Sequence, residues 1–117
     1  MARLSTHVLD TARGTPAPGV RIDLHRLEAS GRTHVTWATT NADGRTDQPL
    51  LTGASISPGV YELTFHAGAY LRGLGVVLAS PAFLDEVVVR FGIADPDANL
   101  HVPLLLSPYG YSTYRGS

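Results

Sequence analysis

The residues that could carry proton-transfer chemistry near neutral pH are few, and the histidines come first among them. The sequence carries five histidines, His7, His25, His34, His66 and His101, and an unperturbed imidazole titrates near pH ~6.5. It has no cysteine and no lysine. Thiol nucleophiles, disulfides, cysteine zinc sites, Schiff bases and a phosphate-binding P-loop lysine are therefore excluded. No His-Glu-x-x-His pair, no Gly-x-Ser-x-Gly elbow and no dense carboxylate pair occurs. From the residues alone, the candidates for chemistry are therefore few.

The histidines fall into two groups. His25, His34 and His66 lie in the polar phase of alternating segments, as ordinary solvent-facing residues do. His7 shares its phase with Leu9, and His101 shares its phase with Pro103 and Leu105. An imidazole buried there without a partner would cost on the order of 2 kcal/mol or more, so both are expected to have partners. A structural role and a catalytic one stay equally open on pattern alone. Arg45 follows the Asp43-Gly44 turn. A loop arginine is commonly solvated, but its planar fork also suits a planar, oxygen-rich ligand. The chain ends Tyr114-Arg115-Gly116-Ser117, directly after an alternating segment. Such ends usually fray; the alternative is that they are pinned in a site.

Positioning these residues falls to short strands. Leu4 to Asp10 reads as a first strand, and the Gly- and Pro-bearing stretch from Thr11 to Gly19 as a loop. Val20, Ile22 and Leu24 alternate with Arg21, Asp23 and His25, the period of a half-buried strand. A turn at Ala29 to Arg32 leads into a hairpin partner, Thr33 to Thr39, with Val35 and Trp37 facing in and His34 and Thr36 facing out. Asn41-Ala42-Asp43-Gly44 is a turn. Pro49 to Leu51 holds a short strand, and Val60 to His66 puts Tyr61, Leu63 and Phe65 on one face. Gly68 to Leu78 is the one predicted helix, ended by Ser80-Pro81. Strands follow at Glu86 to Gly92, Leu100 to Leu106 and Tyr111 to Arg115. Seven or eight strands at this spacing predict a two-layer antiparallel sandwich, an all-β single domain over residues 1–117.

Composition agrees. Hydrophobic residues are 44% and charged residues 16%; so low a charge content argues against disorder. Nine arginines face ten acidic residues for a net charge of −1, and without a basic cluster no nucleic-acid partner is expected. Met1 to His7 holds no apolar leader, and no apolar run approaches the ~18 residues of a membrane span. A soluble cytoplasmic protein without a membrane partner is expected.

Three stretches go further. His7-Val8-Leu9-Asp10, then Gly14, Pro16-Ala17 and Val20, resembles the N-terminal signature of the transthyretin family. His101 through Thr113 (HVPLLLSPYGYST) resembles its C-terminal signature, and Asn41-Ala42-Asp43-Gly44-Arg45 is similar to its turn between the third and fourth strands. The likeness runs nearly end to end. The family divides into thyroid-hormone carriers and 5-hydroxyisourate hydrolases. At His7, Arg45, His101 and the terminal Tyr-Arg-Gly-Ser, this chain makes the hydrolase choice. It departs at Leu100, where an aromatic residue is usual, and over Leu71 to Leu84.

The resemblance implies a transthyretin-like sandwich of two four-stranded sheets with one short helix. It implies a homotetramer, a dimer of dimers, with active sites in a central channel built from two subunits. The implied reaction is hydrolysis of 5-hydroxyisourate in urate degradation, with no metal or organic cofactor. His7 and His101 would activate the water and relay its proton, and Arg45 would bind ring oxygens and offset charge on the tetrahedral oxygen. Tyr114 would bind the substrate, Arg115 would complete the pocket wall, and Ser117 would hydrogen-bond a histidine or the water, with Ser107 a weaker candidate. Two other classes fit a sandwich of this size: a carrier of an apolar small molecule, and a structural adhesion module.

Overall fold

Alternation in the sequence becomes two stacked sheets. The computed structural model describes residues 2–116. In one sheet, β1 (Arg3–Asp10) runs parallel to β8 (Leu100–Ser107), which pairs antiparallel with β9 (Gly110–Thr113). The two-residue strands β2 (Thr15–Pro16) and β5 (Leu51–Thr52) take the other edge of β1, at opposite ends. The second sheet is antiparallel throughout, in the order β4 (Gly31–Thr39), β3 (Arg21–Glu28), β6 (Gly59–Phe65) and β7 (Val87–Ile93). The expected sandwich is present. Two points differ: the β1–β8 pair is parallel, and β1 is flanked by two fragments instead of one full strand.

The period of two explains why the sheets stack. Leu4, Val8, Leu104 and Leu106 of one sheet and Ile22, Leu24, Leu63 and Phe65 of the other are fully buried in one core. Burying each such side chain is worth roughly 1.5–3 kcal/mol. The core takes one face of each sheet, and the opposite faces are free for chemistry.

The strand expected at Thr33 to Thr39 keeps His34 outward but has its faces reversed from Val35 on. Val35 is 40% exposed and Trp37 54%. Leu24 pairs with Thr36 but His25 pairs with His34, so Val35 is an extra residue in a bulge. Thr36 and Ala38 stand opposite the core residues Leu24 and Ile22, and Trp37 turns outward, where the Arg21 guanidinium lies 4.4 Å from the ring centroid.

The helix α1 (Ala67–Gly73) is shorter than expected and ends well before Ser80-Pro81. Gly75, at φ +84°, closes it: its N–H donates to the Arg72 carbonyl and that of Val76 to the Leu71 carbonyl, a Schellman ending. Tyr70 anchors α1 to the first sheet by donating its hydroxyl to Asp10 Oδ2 at 2.7 Å. Burial and the Asp10 carboxylate push the Tyr70 hydroxyl up to about 12. The last strand stops at Thr113, two residues short of its expected end. No helix among the described residues is long and apolar enough to cross a membrane.

Candidate active site

Leu4, Thr6, Val8 and Asp10 of β1 point into the core, which leaves Ser5, His7 and Leu9 on the outer face of the sheet. On β8, Val102, Leu104 and Leu106 are core, and His101 shares the other face with Pro103 and Leu105. The parallel register sets Ser5 beside His101 and His7 beside Pro103. His7 and His101 are thus diagonal neighbours on adjacent strands, near enough for their side chains to share a ligand.

Arg45 joins them because the outer edge of β1 is broken. β2 pairs with Leu9 and Asp10, β5 pairs with Arg3 and Leu4, and Arg45 occupies the gap as an isolated antiparallel bridge to His7. A tight turn delivers it there. Asn41 Oδ1 accepts from the backbone N–H groups of Asp43 (2.9 Å) and Arg45 (3.2 Å), and the Gly44 carbonyl accepts from the Val8 N–H at 2.8 Å. Gly44 is required twice over: its φ is +74°, and a Cβ there would run into the Val8 carbonyl.

Both outer-face histidines have the partners their surroundings demand. His7 Nε2 lies 2.9 Å from the Asp43 carbonyl. A carbonyl only accepts, so Nε2 carries the hydrogen, and Nδ1 is the nitrogen free to gain or lose a proton. His101 Nδ1 lies 2.8 Å from Ser5 Oγ, and among the described residues none bonds its Nε2. Burial lowers the His101 pKa below its ordinary value, and the positive charges of Arg45 and His7 push the same way. A cleft of about 250 Å³ opens beside Arg45 and Ser5, lined also by Arg3, Thr6, Thr46 and Pro49, and not by either histidine.

The chain end reaches His101 through its backbone. The Gly116 N–H donates to the His101 carbonyl at 2.7 Å, and Gly116 packs so tightly that a Cβ would sit 2.9 Å from His101 Cδ2. Tyr114 and Arg115 are not brought to His7 and Arg45. They are exposed and line a cleft of about 240 Å³ at the open edge between the sheets, with Val89, Phe91 and Leu100. Ser117 lies outside the described residues. Ser107 donates its hydroxyl to the Gly110 carbonyl at 3.1 Å, closing the turn into β9. Sequence reasoning missed Ser5, although its phase with His7 was visible, and missed the Asp43 carbonyl, which side-chain chemistry does not advertise.

The other three histidines gather on the outer face of the second sheet. His34 Nε2 and His66 Nε2 reach the two oxygens of Asp23 at 3.0 and 2.8 Å, and Arg21 pairs with the same carboxylate. Burial pushes the Asp23 carboxyl up, but hydrogen bonds from Arg21, His34 and His66 more than offset it and hold the group well below the usual carboxylate range. His25 stacks edge-on against His34. Among the described residues, no group of three or more histidine, aspartate or glutamate side chains is arranged to hold a metal ion.

The sequence profile of the HIUase/Transthyretin family matches residues 4–116. The 5-hydroxyisourate hydrolase 2 of Rhizobium meliloti (strain 1021) is 63% identical over 115 residues, 98% of this chain and 96% of the relative. The structure of Klebsiella pneumoniae 5-hydroxyisourate hydrolase matches with a TM-score of 0.82 at 36% identity, covering 100% of both chains. The crystal structure of sea bream transthyretin in complex with thyroxine matches with a TM-score of 0.86 at 30% identity, covering 98% of this chain and 95% of the other. Profile, sequence relatives and solved structures all match over nearly the whole length, and the chain belongs to the HIUase/Transthyretin family.

Proposed function

We propose that the chain is a 5-hydroxyisourate hydrolase acting in urate degradation. The observation that carries this is the meeting of His7, Arg45 and His101 on one outer sheet face, beside a polar cleft. Hydrolase relatives identical at 63% over nearly the full length support it.

The reaction opens the N1–C6 amide of 5-hydroxyisourate. A water oxygen bonds to C6, the water gives up one proton, the C6–N1 bond breaks, N1 takes a proton, and the new carboxylic acid at C6 ionises by releasing the second water proton to solvent. The product is 5-hydroxy-2-oxo-4-ureido-2,5-dihydro-1H-imidazole-5-carboxylate. With Nε2 committed to the Asp43 carbonyl, His7 offers Nδ1 as the acceptor for the water proton. His101, whose pKa is lowered first by burial and then by the Arg45 charge, offers Nε2 to the carbonyl oxygen or the leaving nitrogen. Arg45 bridges ring oxygens and stabilises the tetrahedral oxyanion. General acid–base catalysis of this kind is worth roughly 10²–10⁴-fold.

The working unit is a homotetramer with sites shared between subunits. β7 and β9 each lie at an edge of their sheet, and pairing them between copies would remove those exposed edges. Tyr111 and Tyr114 on and beyond β9 are exposed, placed for an interface. Tyr114, Arg115 and Ser117 then act in a neighbour's site or across the channel, which fits the position of Tyr114 and Arg115 away from His7 of their own subunit. The substrate is a small molecule; nucleic acid and membrane have no part in this function, and a cytoplasmic location suits it.

The test follows absorbance of freshly generated 5-hydroxyisourate. The chain should accelerate its decay, and His101→Asn should abolish most of the acceleration while the oligomer elutes unchanged. Equal decay with and without the protein refutes the function; equal rates for protein and variant remove His101 from it.

A further inference from the structure

Two histidines of the site are held in different ways, and the difference has a chemical meaning. His7 is tied at Nε2 to a backbone carbonyl, which fixes one tautomer. His101 is tied at Nδ1 to a hydroxyl, Ser5 Oγ, at 2.8 Å. A hydroxyl both donates and accepts. The contact follows from the parallel register, which pairs Ser5 with His101 along β1 and β8. On its other flank the imidazole abuts the backbone of Gly116, where there is no room for a Cβ. The ring is thus clamped between a side-chain hydroxyl and the main chain of the last turn.

Resting on the hydrolase function above, we propose that Ser5 is a positioning residue of the reaction: its hydroxyl holds the His101 ring and follows the proton on it. When neutral His101 presents N–H at Nε2, the Ser5 hydroxyl donates to the bare Nδ1. When Nε2 is bare, or has taken a proton to give imidazolium, Nδ1–H donates to Ser5 Oγ. In both states the ring keeps one orientation. His101 is then able to donate to the substrate carbonyl oxygen at one stage and to exchange a proton at Nε2 at another. His7, with a fixed tautomer, is confined to accepting and returning a proton at Nδ1. The proton count closes: His7 takes one water proton at Nδ1 and returns it to N1, the second water proton leaves the new C6 carboxylic acid for solvent, and Ser5 neither gains nor loses a proton overall.

The test compares Ser5→Ala and Ser5→Thr with the unaltered chain, in steady-state hydrolysis of 5-hydroxyisourate and in 15N NMR of the histidine side chains. Ser5→Ala should lower kcat by about tenfold or more, a part of the roughly 10²–10⁴-fold that a positioned acid–base group supplies, with KM within about twofold. Its His101 nitrogen shifts should move towards those of a free, tautomer-averaged imidazole, while the His7 shifts stay. Ser5→Thr, which keeps the hydroxyl, should restore most of kcat and the His101 shifts. A full kcat in Ser5→Ala overturns the proposal. Equal losses in Ser5→Ala and Ser5→Thr also overturn it, because packing would then be at stake and not the hydroxyl. Unmoved His101 shifts in Ser5→Ala overturn it whatever the rate. An unaltered chain inactive on 5-hydroxyisourate brings down the hydrolase function and this role with it, and is told apart from failure of Ser5 alone because no variant is needed to see it.

Discussion

Gly116→Ala is the sharpest probe of how the chain end serves the site. Gly116 has no left-handed backbone conformation among the described residues, so alanine brings no torsional strain of its own. Its effect is steric. The new Cβ would lie 2.9 Å from His101 Cδ2, 3.1 Å from His101 Cβ and 3.3 Å from Cγ. Comfortable carbon contacts lie near ~3.5–4.0 Å, so relief of about 0.5 Å or more is required. The Gly116 N–H bonds the His101 carbonyl at 2.7 Å, so the tail cannot retreat without losing that bond. Otherwise the ring must turn, against its contact with Ser5 at 2.8 Å. A misplacement of about 1 Å costs roughly 10²-fold in rate; about half of that displacement predicts a loss of about tenfold in kcat. Losing the one backbone hydrogen bond costs only about 0.5–1.5 kcal/mol, a Tm fall of a few degrees. Initial rates of 5-hydroxyisourate decay and a thermal melt measure both. Full kcat in Gly116→Ala would refute the claim that His101 is clamped from this side; a collapse of Tm with kcat spared would make the contact structural.

Other expectations concern pH, the second sheet and the tail. Because burial, and then Arg45 and His7, hold the His101 pKa below its ordinary value near ~6.5, the His101 ring, followed by 15N NMR, should titrate with a midpoint below that value; a midpoint above it would contradict the environment described. Asp23→Asn breaks a carboxylate cluster of two imidazoles and Arg21 and should cost about 1–3 kcal/mol of stability, with activity unchanged. Since the folded Asp23 pKa is depressed, its contribution is present above the unfolded value near ~3.9 and is lost as pH falls below it. The melting difference between the chain and Asp23→Asn should therefore narrow in acid, and a gap constant down to pH 2 would refute that account. Deleting residues 114–117 should cost activity more than Tm, read by the same two assays; the opposite ratio makes the tail a structural element.

What was legible in the sequence follows from which interactions are local. The alternation of β1 put His7 with Leu9, and that of β8 put His101 with Pro103, both as the structure has them. Tyr61, Leu63 and Phe65 are core as their period demanded. Val35 and Trp37 were misjudged because a one-residue bulge inverts every face beyond it, and nothing in Thr33 to Thr39 marks it. The helix was drawn too long because Gly75 as a stop signal competes with the apolar run Val76-Val77-Leu78, whose burial is settled by distant chain. Ser5 shared a phase with His7 in plain sight, but its partner is set by the register of a parallel pair 96 residues apart, which no local pattern encodes. His34 and His66 had the polar phase of surface residues and yet share Asp23, a meeting across three strands.

The fold leaves the chemistry undecided. Sea bream transthyretin, crystallised with thyroxine, matches this chain with a TM-score of 0.86, so the same sandwich is compatible with holding a ligand unchanged. The decision lies with the outer face of β1 and β8. On this chain that face carries an arginine seated in a break of the sheet edge and two imidazoles, each oriented by a hydrogen bond at one nitrogen with the other left free. Covering these groups with an apolar ligand would strip water from a guanidinium and two ring nitrogens without replacing its hydrogen bonds, a cost of several kcal/mol. A planar ring edged with carbonyl oxygens and N–H groups replaces those bonds as it displaces the water, and does so best when charge builds on a carbonyl oxygen facing Arg45. Preference for the charged, tetrahedral species over the planar one is what catalysis requires.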